Sequence, residues 1–227
     1  MFKHIVNCIY PTKCISCNEF TKKVFYICDE CLPKFELLNM KTCKKCGLPK
    51  EKCECNKFYY HFDGVVSPFL NASVAKKSMY NFKFHAYLDA AEFFAKYMAQ
   101  FVEKRFENID FDVVVAVPMT TKSLLRRGYN QAEILAKLVS KNLKLKHYNK
   151  ALKKIKETDV QHSLNMENRW SNLRNAYKVK NKNYFKEKTV LLVDDIKTTG
   201  ATLDECTRML KLAGAEKVYC VTGLITE

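Results

Sequence analysis

Cysteines are the first residues in this sequence whose type and spacing could do chemistry. The chain has eleven, and nine of them lie before residue 56. A Cys-x-x-Cys turn brings two thiolates onto one metal ion, and two such turns complete a tetrahedral zinc site. The close pairs therefore predict zinc ligation, with these ligands: Cys14, Cys17, Cys28, Cys31, Cys43, Cys46, Cys53 and Cys55.

The sequence leaves the pairing of these cysteines open. Sequential pairing places residues 14–31 at one site and residues 43–55 at another, whereas the spacing also permits interleaved pairs. A disulfide scaffold is the alternative to zinc, but such scaffolds are typical of secreted chains, and no signal-peptide core is visible. We therefore expect a cytoplasmic protein with one or two four-cysteine zinc sites. Cys8 is left over, and Cys206 and Cys220 fall in apolar segments, where buried thiols are expected.

A second group of residues suited to chemistry lies in the stretch VLLVDDIKTTGATL, residues 190–203. An apolar strand is expected to end in Asp194 and Asp195, ahead of a loop that opens a helix. Backbone N–H groups at a helix start, threonine hydroxyls and a glycine together form a phosphate cradle. Carboxylates at the carboxyl end of a parallel strand suit vicinal sugar hydroxyls or Mg²⁺. The stretch therefore predicts a sugar-phosphate site, whose cradle residues are Thr198, Thr199, Gly200, Ala201 and Thr202.

Alternating strand and helix patterns follow Cys55 and must position these acids. We expect strands over 62–69 (broken near Pro68), 113–117, 190–193 and 218–224. Helices are expected over 86–106, 121–142 and 201–212, with Gly214 capping the last helix. The alternation predicts an α/β fold with a doubly wound parallel sheet. The change in composition predicts two domains, a zinc-ribbon domain over residues 1–57 and the α/β domain over residues 58–227.

Charge is distributed as unevenly as the cysteines. The 227 residues carry a formal net charge of +15, and residues 141–188 alone contribute +10 of it. Such a dense basic block favours a polyanionic partner, although a solvated surface in a lysine-rich chain is the alternative. Eight thiolates and two zinc ions would take residues 1–60 from +5 to about +1. We therefore expect the strongly basic surface to lie outside the ribbon.

The composition also excludes two broad classes of protein. With 48% hydrophobic and 28% charged residues, the chain is not wholly disordered. No apolar run approaches the roughly 18 to 20 residues that a membrane-spanning helix needs.

The stretch VLLVDDIKTTGATL resembles the motif of type I phosphoribosyltransferases that binds phosphoribosyl pyrophosphate (PRPP). The resemblance implies PRPP binding with Mg²⁺, with Asp194 and Asp195 as catalytic positions on the ribose hydroxyls and residues 198–202 on the 5′-phosphate. Lys197 departs from the family pattern, in which a neutral residue is more usual. A cation there implies an altered nucleotide or metal preference.

The whole arrangement, cysteine-rich ribbons ahead of such a domain, resembles the ComF (ComFC) competence proteins. Three stretches add to the resemblance: Met79–Phe84 (MYNFKF), Val117-Pro118 followed by Arg127–Gln131 (RGYNQ), and Gln161–Asn172. It implies a type I phosphoribosyltransferase-like protein of the cytoplasm that handles single-stranded DNA (ssDNA) during natural transformation. A helicase partner is implied for some relatives, and residues 161–172 correspond to a mobile flap.

The same resemblance assigns roles around the predicted pyrophosphate loop. Pro118 lies in that loop, and Arg127 and Asn130 are candidates for holding the loop or the pyrophosphate. Ser123 and Leu125 stand where relatives often have arginine, which implies weaker pyrophosphate binding.

Two functions of different classes follow from the sequence. In the first, the chain binds PRPP and grips ssDNA by backbone neutralisation and base stacking. The candidate DNA-binding residues are Lys150, Lys153, Lys154, Lys156, Arg169, Arg174 and Lys178, with Trp170 and Tyr177 as aromatic partners unless Trp170 is a core residue. In the second, the chain is an active phosphoribosyltransferase that transfers to a base, an amine or a nucleic-acid end. A zinc-ribbon nucleic-acid module on an inert scaffold is a third alternative.

Overall fold

The structure, a computed structural model, describes residues 13–21, 26–39, 41–53, 55–84, 89–156, 170 and 173–227. Its strands are β1 (Gly64–Val66), β2 (Phe69–Leu70), β3 (Val113–Ala116), β4 (Leu152–Lys154), β5 (Tyr177–Val179), β6 (Thr189–Lys197) and β7 (Lys217–Ile225). The order β1-β7-β6-β3 forms one sheet in which the strand pairs are parallel, and β2 extends the β1 edge along β7. β4 and β5 form a separate antiparallel pair.

Helices cover both faces of the parallel sheet. They are α1 (Ser73–Phe84), α2 (Asp89–Arg105), α3 (Thr121–Arg127), α4 (Gln131–Leu143) and α5 (Ala201–Leu212). On β7, Cys220 faces Thr207 of α5, whereas Gly223, which points to the other face, lies against Phe94 of α2. The predicted α/β fold with a parallel sheet is thereby confirmed. No described helix is both long enough and apolar enough to span a membrane.

The predicted helix over 121–142 is wrong, because two helices lie there. Gly128 takes the left-handed conformation at φ 85° and ends α3. Asn130 then begins α4, since its side chain accepts a hydrogen bond from the Ala132 N–H at 3.1 Å. The apolar periodicity continued across this corner and concealed it, although a glycine and an N-cap residue mark it in the sequence.

Strand β6 is longer than the sequence pattern predicts. The acids were expected to follow the strand, but pairing with β7 continues past them to Lys197, opposite Ile225. Asp194 and Asp195 therefore occupy strand positions, and their side chains point to opposite faces of the sheet.

The cysteine-rich segment packs directly on the α/β core. The Phe35 ring lies 5.3, 4.9 and 6.5 Å from the rings of Phe69, Phe93 and Phe94, centroid to centroid. The Leu38 N–H donates to the Pro68 carbonyl at 2.8 Å. The ribbon therefore shares its apolar core with the sheet and helix α2.

We expect Phe35→Ala to lower the free energy of unfolding by about 3 to 5 kcal/mol, because it opens a cavity among three packed rings. The measurement is urea unfolding of the zinc-loaded protein. Phe20 belongs to the same segment but is 66% exposed, so Phe20→Ala should change the unfolding free energy by less than about 0.5 kcal/mol. Equal losses in the two variants would contradict a shared core.

Candidate functional site

The paired cysteines come together as two four-cysteine clusters. One contains Cys14, Cys17, Cys28 and Cys31, and the other contains Cys43, Cys46, Cys53 and Cys55. Within each cluster all four sulfur atoms lie within 4.8 Å of one another. The sequential pairing is therefore the one the fold adopts, and interleaved pairing is excluded.

Sulfur–sulfur distances identify the kind of site. The Sγ atoms of Cys17 and Cys28 are 3.7 Å apart, and so are those of Cys46 and Cys53. Tetrahedral zinc with Zn–S bonds of about 2.3 Å separates its sulfurs by about 3.8 Å, whereas a disulfide bond is about 2.05 Å long. The clusters fit zinc, and the described cysteines form no disulfide.

Both clusters use the same tight turn. The N–H of Asn18 donates to the Cys14 carbonyl at 3.0 Å, and the N–H of Gly47 donates to the Cys43 carbonyl at 2.9 Å. Asn18 and Gly47 have φ values of 72° and 78°, a region that glycine and asparagine adopt most readily. Burial disfavours the Cys14 thiolate, but backbone N–H groups, led by that of Cys28, lower the pKa of Cys14 to about 7. These N–H groups favour the ionised form of Cys14, which is the form that binds metal, whereas burial and the neighbouring thiols raise the pKa of Cys31 to about 12.

A cavity of about 360 Å³, here called the β3–β6 pocket, lies at the carboxyl ends of strands β3 and β6. Strand β3 ends at Ala116, opposite Val193, so β6 continues beyond its neighbour. The pocket is lined by Val117, Pro118, Met119, Thr120, Lys122, Ser123, Arg126, Arg127, Asn130, Gln131, Ala132, Lys154, Tyr177, Asp194, Asp195 and Thr202. It therefore combines carboxylates, cations and hydroxyls from segments far apart in the chain.

The two acids of the pocket have different surroundings. Burial and then the neighbouring charge of Asp195 raise the pKa of Asp194 to about 8, while the Asp195 N–H and the charges of Lys83 and Lys154 act in the opposite direction. The Asp194 carboxylate accepts the N–H of Asp195 at 2.8 Å. Asp195 forms an ion pair with Lys83, whose Nζ lies 2.8 Å from its Oδ2.

Helix α3 contributes a cationic lining to the pocket. Lys122, Arg126 and Arg127 reach it from α3, and Arg127 also donates to the Gln131 side chain at 2.7 Å. Asn130 fixes the segment between α3 and α4 to the end of β3, since its Nδ2 donates a hydrogen bond to the Val117 carbonyl at 3.0 Å. The pocket therefore combines the two acids of β6 with positive charge from α3.

The β4–β5 hairpin has one face on the pocket and one face in solvent. Lys154 and Tyr177 are paired across it and line the pocket. Burial lowers the pKa of Lys154, while the nearby groups of Cys206 and Asp194 oppose that shift. On the other face, Lys153 and Lys178 are both exposed and stand directly opposite each other.

Comparison with known families identifies the fold. Residues 85–224 match the phosphoribosyl transferase domain family, and residues 5–58 match the double zinc ribbon domain family. The chain belongs to the phosphoribosyl transferase domain family. The phosphoribosyl transferase domain thus contains the β3–β6 pocket, and the ribbon match contains both cysteine clusters.

Two named relatives confirm the resemblance to the ComF proteins. Competence protein F of Haemophilus influenzae is 38% identical over 114 residues, which cover 50% of this chain and 49% of that protein. The DNA utilization protein YhgH of Escherichia coli (strain K12) is 31% identical over 112 residues, covering 48% of each. The chain spans about half the length of the curated relatives it matches.

The chain is also similar, more distantly, to solved structures. The glutamine PRPP amidotransferase from B. subtilis, complexed with ADP and GMP, is 19% identical. The match covers 58% of this chain and 25% of the amidotransferase chain, with a TM-score of 0.39. A purine phosphoribosyltransferase from Pyrococcus horikoshii is 16% identical, and the match covers 63% of this chain and 85% of that protein, with a TM-score of 0.35.

The structure brings five of the predicted PRPP-binding residues into the pocket lining: Pro118, Arg127, Asp194, Asp195 and Thr202. Thr198, Thr199 and Gly200 lie in the loop between β6 and α5, Ala201 is the first residue of α5, and none of the four is among the lining residues of the pocket. Gly200 takes φ 84°, and a Cβ there would lie 3.2 Å from the Cε of Lys197. Lys197 is buried at 2% exposure beneath this loop.

The predicted DNA-binding residues divide into two groups. Lys150, Lys153, Lys156, Arg174 and Lys178 are exposed, whereas Lys154 is half-buried and Tyr177 is buried in the pocket lining. Arg169 and most of the predicted flap, 161–169 and 171–172, lie outside the described residues. Trp170 is half-buried and stacks on the Phe58 ring at 6.2 Å and 6°.

Sequence reasoning missed several lining residues. Lys122 and Arg126 supply cations where Ser123 and Leu125 replace the arginines usual in relatives; Leu125 itself is 82% exposed. Their spacing of four residues, one helical turn, was a usable signal. Lys154 had no such signal, because only the hairpin brings it beside Asp194.

The ribbon also has a basic surface of its own. Lys41, Lys44, Lys50 and Arg105 surround a groove of about 550 Å³ beside the second cysteine cluster. Arg105 is fixed there by a hydrogen bond from its guanidinium to the Thr42 carbonyl at 3.2 Å. The net charge expected for residues 1–60 with zinc bound is near zero, but cations are concentrated locally at this groove.

We expect purified protein to contain two zinc ions per chain and Cys17→Ser and Cys46→Ser to contain one each, because each removes one of four thiolates. Metal analysis of the purified variants measures this. Cys206 is buried outside both clusters, so Cys206→Ser should keep two ions. Full zinc content in both ligand variants would contradict the assignment.

Proposed function

We propose that this chain binds PRPP in the β3–β6 pocket and holds ssDNA on the adjoining outer face of the β4–β5 hairpin. The observation that carries this proposal is the two-sided hairpin. Lys154 and Tyr177 line the pocket from one face, and Lys153 and Lys178 are exposed on the other. One short element thus links a sugar-phosphate pocket to a basic surface.

The chemistry of the pocket complements PRPP. Two carboxyl groups suit the vicinal hydroxyls of a ribose, and the cations of α3 suit a pyrophosphate. Thr202 lies at the start of α5, where backbone N–H groups favour a phosphate. Family membership supports the same ligand class.

Mg²⁺ is compatible with this pocket. Magnesium is usually held by one or two carboxylates together with substrate phosphates, and Asp194 and Asp195 supply the carboxylates. When bound, the ion would neutralise charge on the pyrophosphate. The acids themselves would orient the ribose.

The outer face of the hairpin supports a polyanionic partner. Like charges directly opposite each other in an antiparallel pair destabilise it, and the pairing of Lys153 with Lys178 is such a case. A phosphate backbone offsets that repulsion, and Lys150, Lys156 and Arg174 extend the exposed basic surface. A sequence-tolerant, salt-sensitive interaction with ssDNA follows from this arrangement.

The names of the relatives support a role in DNA uptake or use. One is called a competence protein and the other a DNA utilization protein. We extend that role to this chain and place it in the cytoplasm, where reducing conditions keep thiolates available for zinc. The helicase partner that the ComF resemblance implies stays a prediction.

An active phosphoribosyltransferase is the second candidate, favoured by the family match over residues 85–224. In this candidate the same pocket binds PRPP, and an acceptor attacks its C1 carbon with loss of pyrophosphate. At the pocket, the two candidates differ in whether pyrophosphate leaves.

We expect Asp195→Asn to weaken PRPP binding about tenfold or more, because it removes a charged acceptor for a ribose hydroxyl. Isothermal titration of the full chain with PRPP and Mg²⁺ measures this. Asp110 is exposed and outside the pocket, so Asp110→Asn is the matched control and should bind like the native chain.

A native chain that binds no PRPP would overturn the pocket assignment. The same samples, supplied with base, amine and oligonucleotide acceptors, are then assayed for pyrophosphate release. Release with any acceptor, lost in Asp195→Asn, would favour the enzyme, whereas binding without release favours PRPP as a ligand of a DNA-handling protein.

We expect the double variant Lys153→Ala/Lys178→Ala to weaken binding of an oligonucleotide such as dT20 and to reduce its salt dependence. Losing two phosphate contacts should lower the slope of log K against log salt by about 1.4. Fluorescence anisotropy at a series of salt concentrations measures both quantities. Removing the opposed charges should leave the unfolding free energy unchanged or slightly higher.

The matched control for this experiment is Lys104→Ala/Lys137→Ala, which removes two exposed lysines from α2 and α4. It should bind the oligonucleotide with an unchanged salt slope. If the two double variants lose the same affinity, only total charge matters, and the hairpin is not the DNA surface.

A further inference from the structure

The end of helix α1 reaches the pocket through one side chain, that of Lys83. It belongs to the stretch Met79–Phe84, which the proposed function leaves without a role. Its ammonium lies 2.8 Å from Oδ2 of Asp195, and the two side chains are 20% and 14% exposed. A largely buried, charge-assisted contact of this kind is stronger than a surface ion pair.

The backbone around Lys83 is held by the segment that forms the pocket wall. Three consecutive residues of α1 each contact one residue of that segment. The Phe82 carbonyl accepts a hydrogen bond from the Tyr129 hydroxyl, and the Lys83 carbonyl accepts one from Gln131 Nε2 at 3.4 Å. The Phe84 ring packs under the Arg127 guanidinium, 5.0 Å from ring centroid to Cζ. The ammonium is therefore positioned by contacts on either side of it, which limits the positions it can take.

Only one acid of the pair forms an ion pair among the described residues. Lys83 contacts Asp195 directly, whereas the charges of Lys83 and Lys154 act on Asp194 through space and lower its pKa without an ion pair. Among the described residues no cation forms an ion pair with Asp194, whose carboxylate accepts the Asp195 N–H instead. The two carboxyl groups thus meet a ligand differently.

The ion pair has a consequence for the geometry of Asp195. Lys83 engages Oδ2, which restricts rotation of the carboxylate and leaves Oδ1 as the acceptor for a ligand. A hydrogen bond between an oriented carboxylate and a sugar hydroxyl discriminates strongly against a ligand that lacks the hydroxyl. A freely rotating carboxylate discriminates less, because ordering it has an entropic cost.

We propose that Lys83 is a positioning residue that orients Asp195 toward a ribose hydroxyl and so makes the pocket select ribose phosphates over deoxyribose phosphates. This inference rests on the proposed binding of a phosphoribosyl ligand. It concerns the sugar, whereas the proposed phosphate and pyrophosphate contacts involve other residues.

The test combines variants of the full chain with three ligands, namely ribose 5-phosphate and its 2-deoxy and 3-deoxy forms. Isothermal titration gives each dissociation constant. Lys83→Met should weaken binding of ribose 5-phosphate by about tenfold to hundredfold. For at least one deoxy form the loss should be several times smaller, because the hydroxyl that Asp195 accepts from is already absent.

Two further variants separate positioning from general effects. Lys83→Arg retains the cation and should recover most of the affinity and the preference for ribose. Lys77 lies on the same helix and is exposed, so Lys77→Met removes the same charge away from the pocket and should bind all three ligands like the native chain. Thermal melting of each variant reports whether the fold is intact.

The outcomes distinguish this inference from the proposed function. If the native chain binds neither PRPP nor ribose 5-phosphate, the proposed function and the role of Lys83 are both overturned. If it binds them but Lys83→Met weakens all three ligands by the same factor, or not at all, the proposed function stands and the role of Lys83 is overturned.

Discussion

The functional region depends on an offset between two neighbouring parallel strands. β3 ends at Ala116, opposite Val193, while β6 continues beside β7 as far as Lys197. Beyond this point no strand of the described residues pairs with β6 on the β3 side, and the chain leaving β3 turns away through Pro118, which has no N–H to offer a strand. The gap so formed is the β3–β6 pocket, and the acid pair stands at its edge. Because pairing with β7 holds the backbone of both acids, their side chains diverge to the two faces of the sheet.

The zinc ribbon is a structural part of this region. Phe35 packs on Phe93 and Phe94, and the Asn81 side chain of α1 donates to the Ile15 carbonyl in the first cysteine turn at 2.8 Å. Two residues later, the same helix places Lys83 against Asp195. Arg105, the last residue of α2, donates a hydrogen bond to the carbonyl of Thr42, which directly precedes the second cysteine turn. Ribbon and sheet therefore contact each other through both helices, and the metal sites are set on the same core as the pocket.

The hairpin of β4 and β5 explains why the basic block of the sequence has more than one role. Alternation along a strand sends Lys154 and Tyr177 to the pocket and Lys153 and Lys178 to solvent. Two hydrogen bonds fix this hairpin to α5. The Asn175 N–H donates to the Glu205 carboxylate at 2.7 Å, and the Arg208 guanidinium donates to the Asn175 side chain at 2.6 Å. A single run of lysines thus contributes to two surfaces of different chemistry.

The sequence alone determined the chemistry that is local in the chain. The Cys-x-x-Cys spacing predicted the metal ligands, and the run from Val190 to Leu203 predicted a buried strand, an acid pair and the start of α5. Periodicity also predicted α2 and β7 closely, but it merged α3 with α4 because their apolar pattern continues across Gly128. Only the tertiary structure decided which cysteine pairs share a site, that Lys83 meets Asp195, and which lysines of the basic block face the pocket. These contacts join residues far apart in the chain, and their distances depend on sheet order and helix packing, which no local pattern encodes.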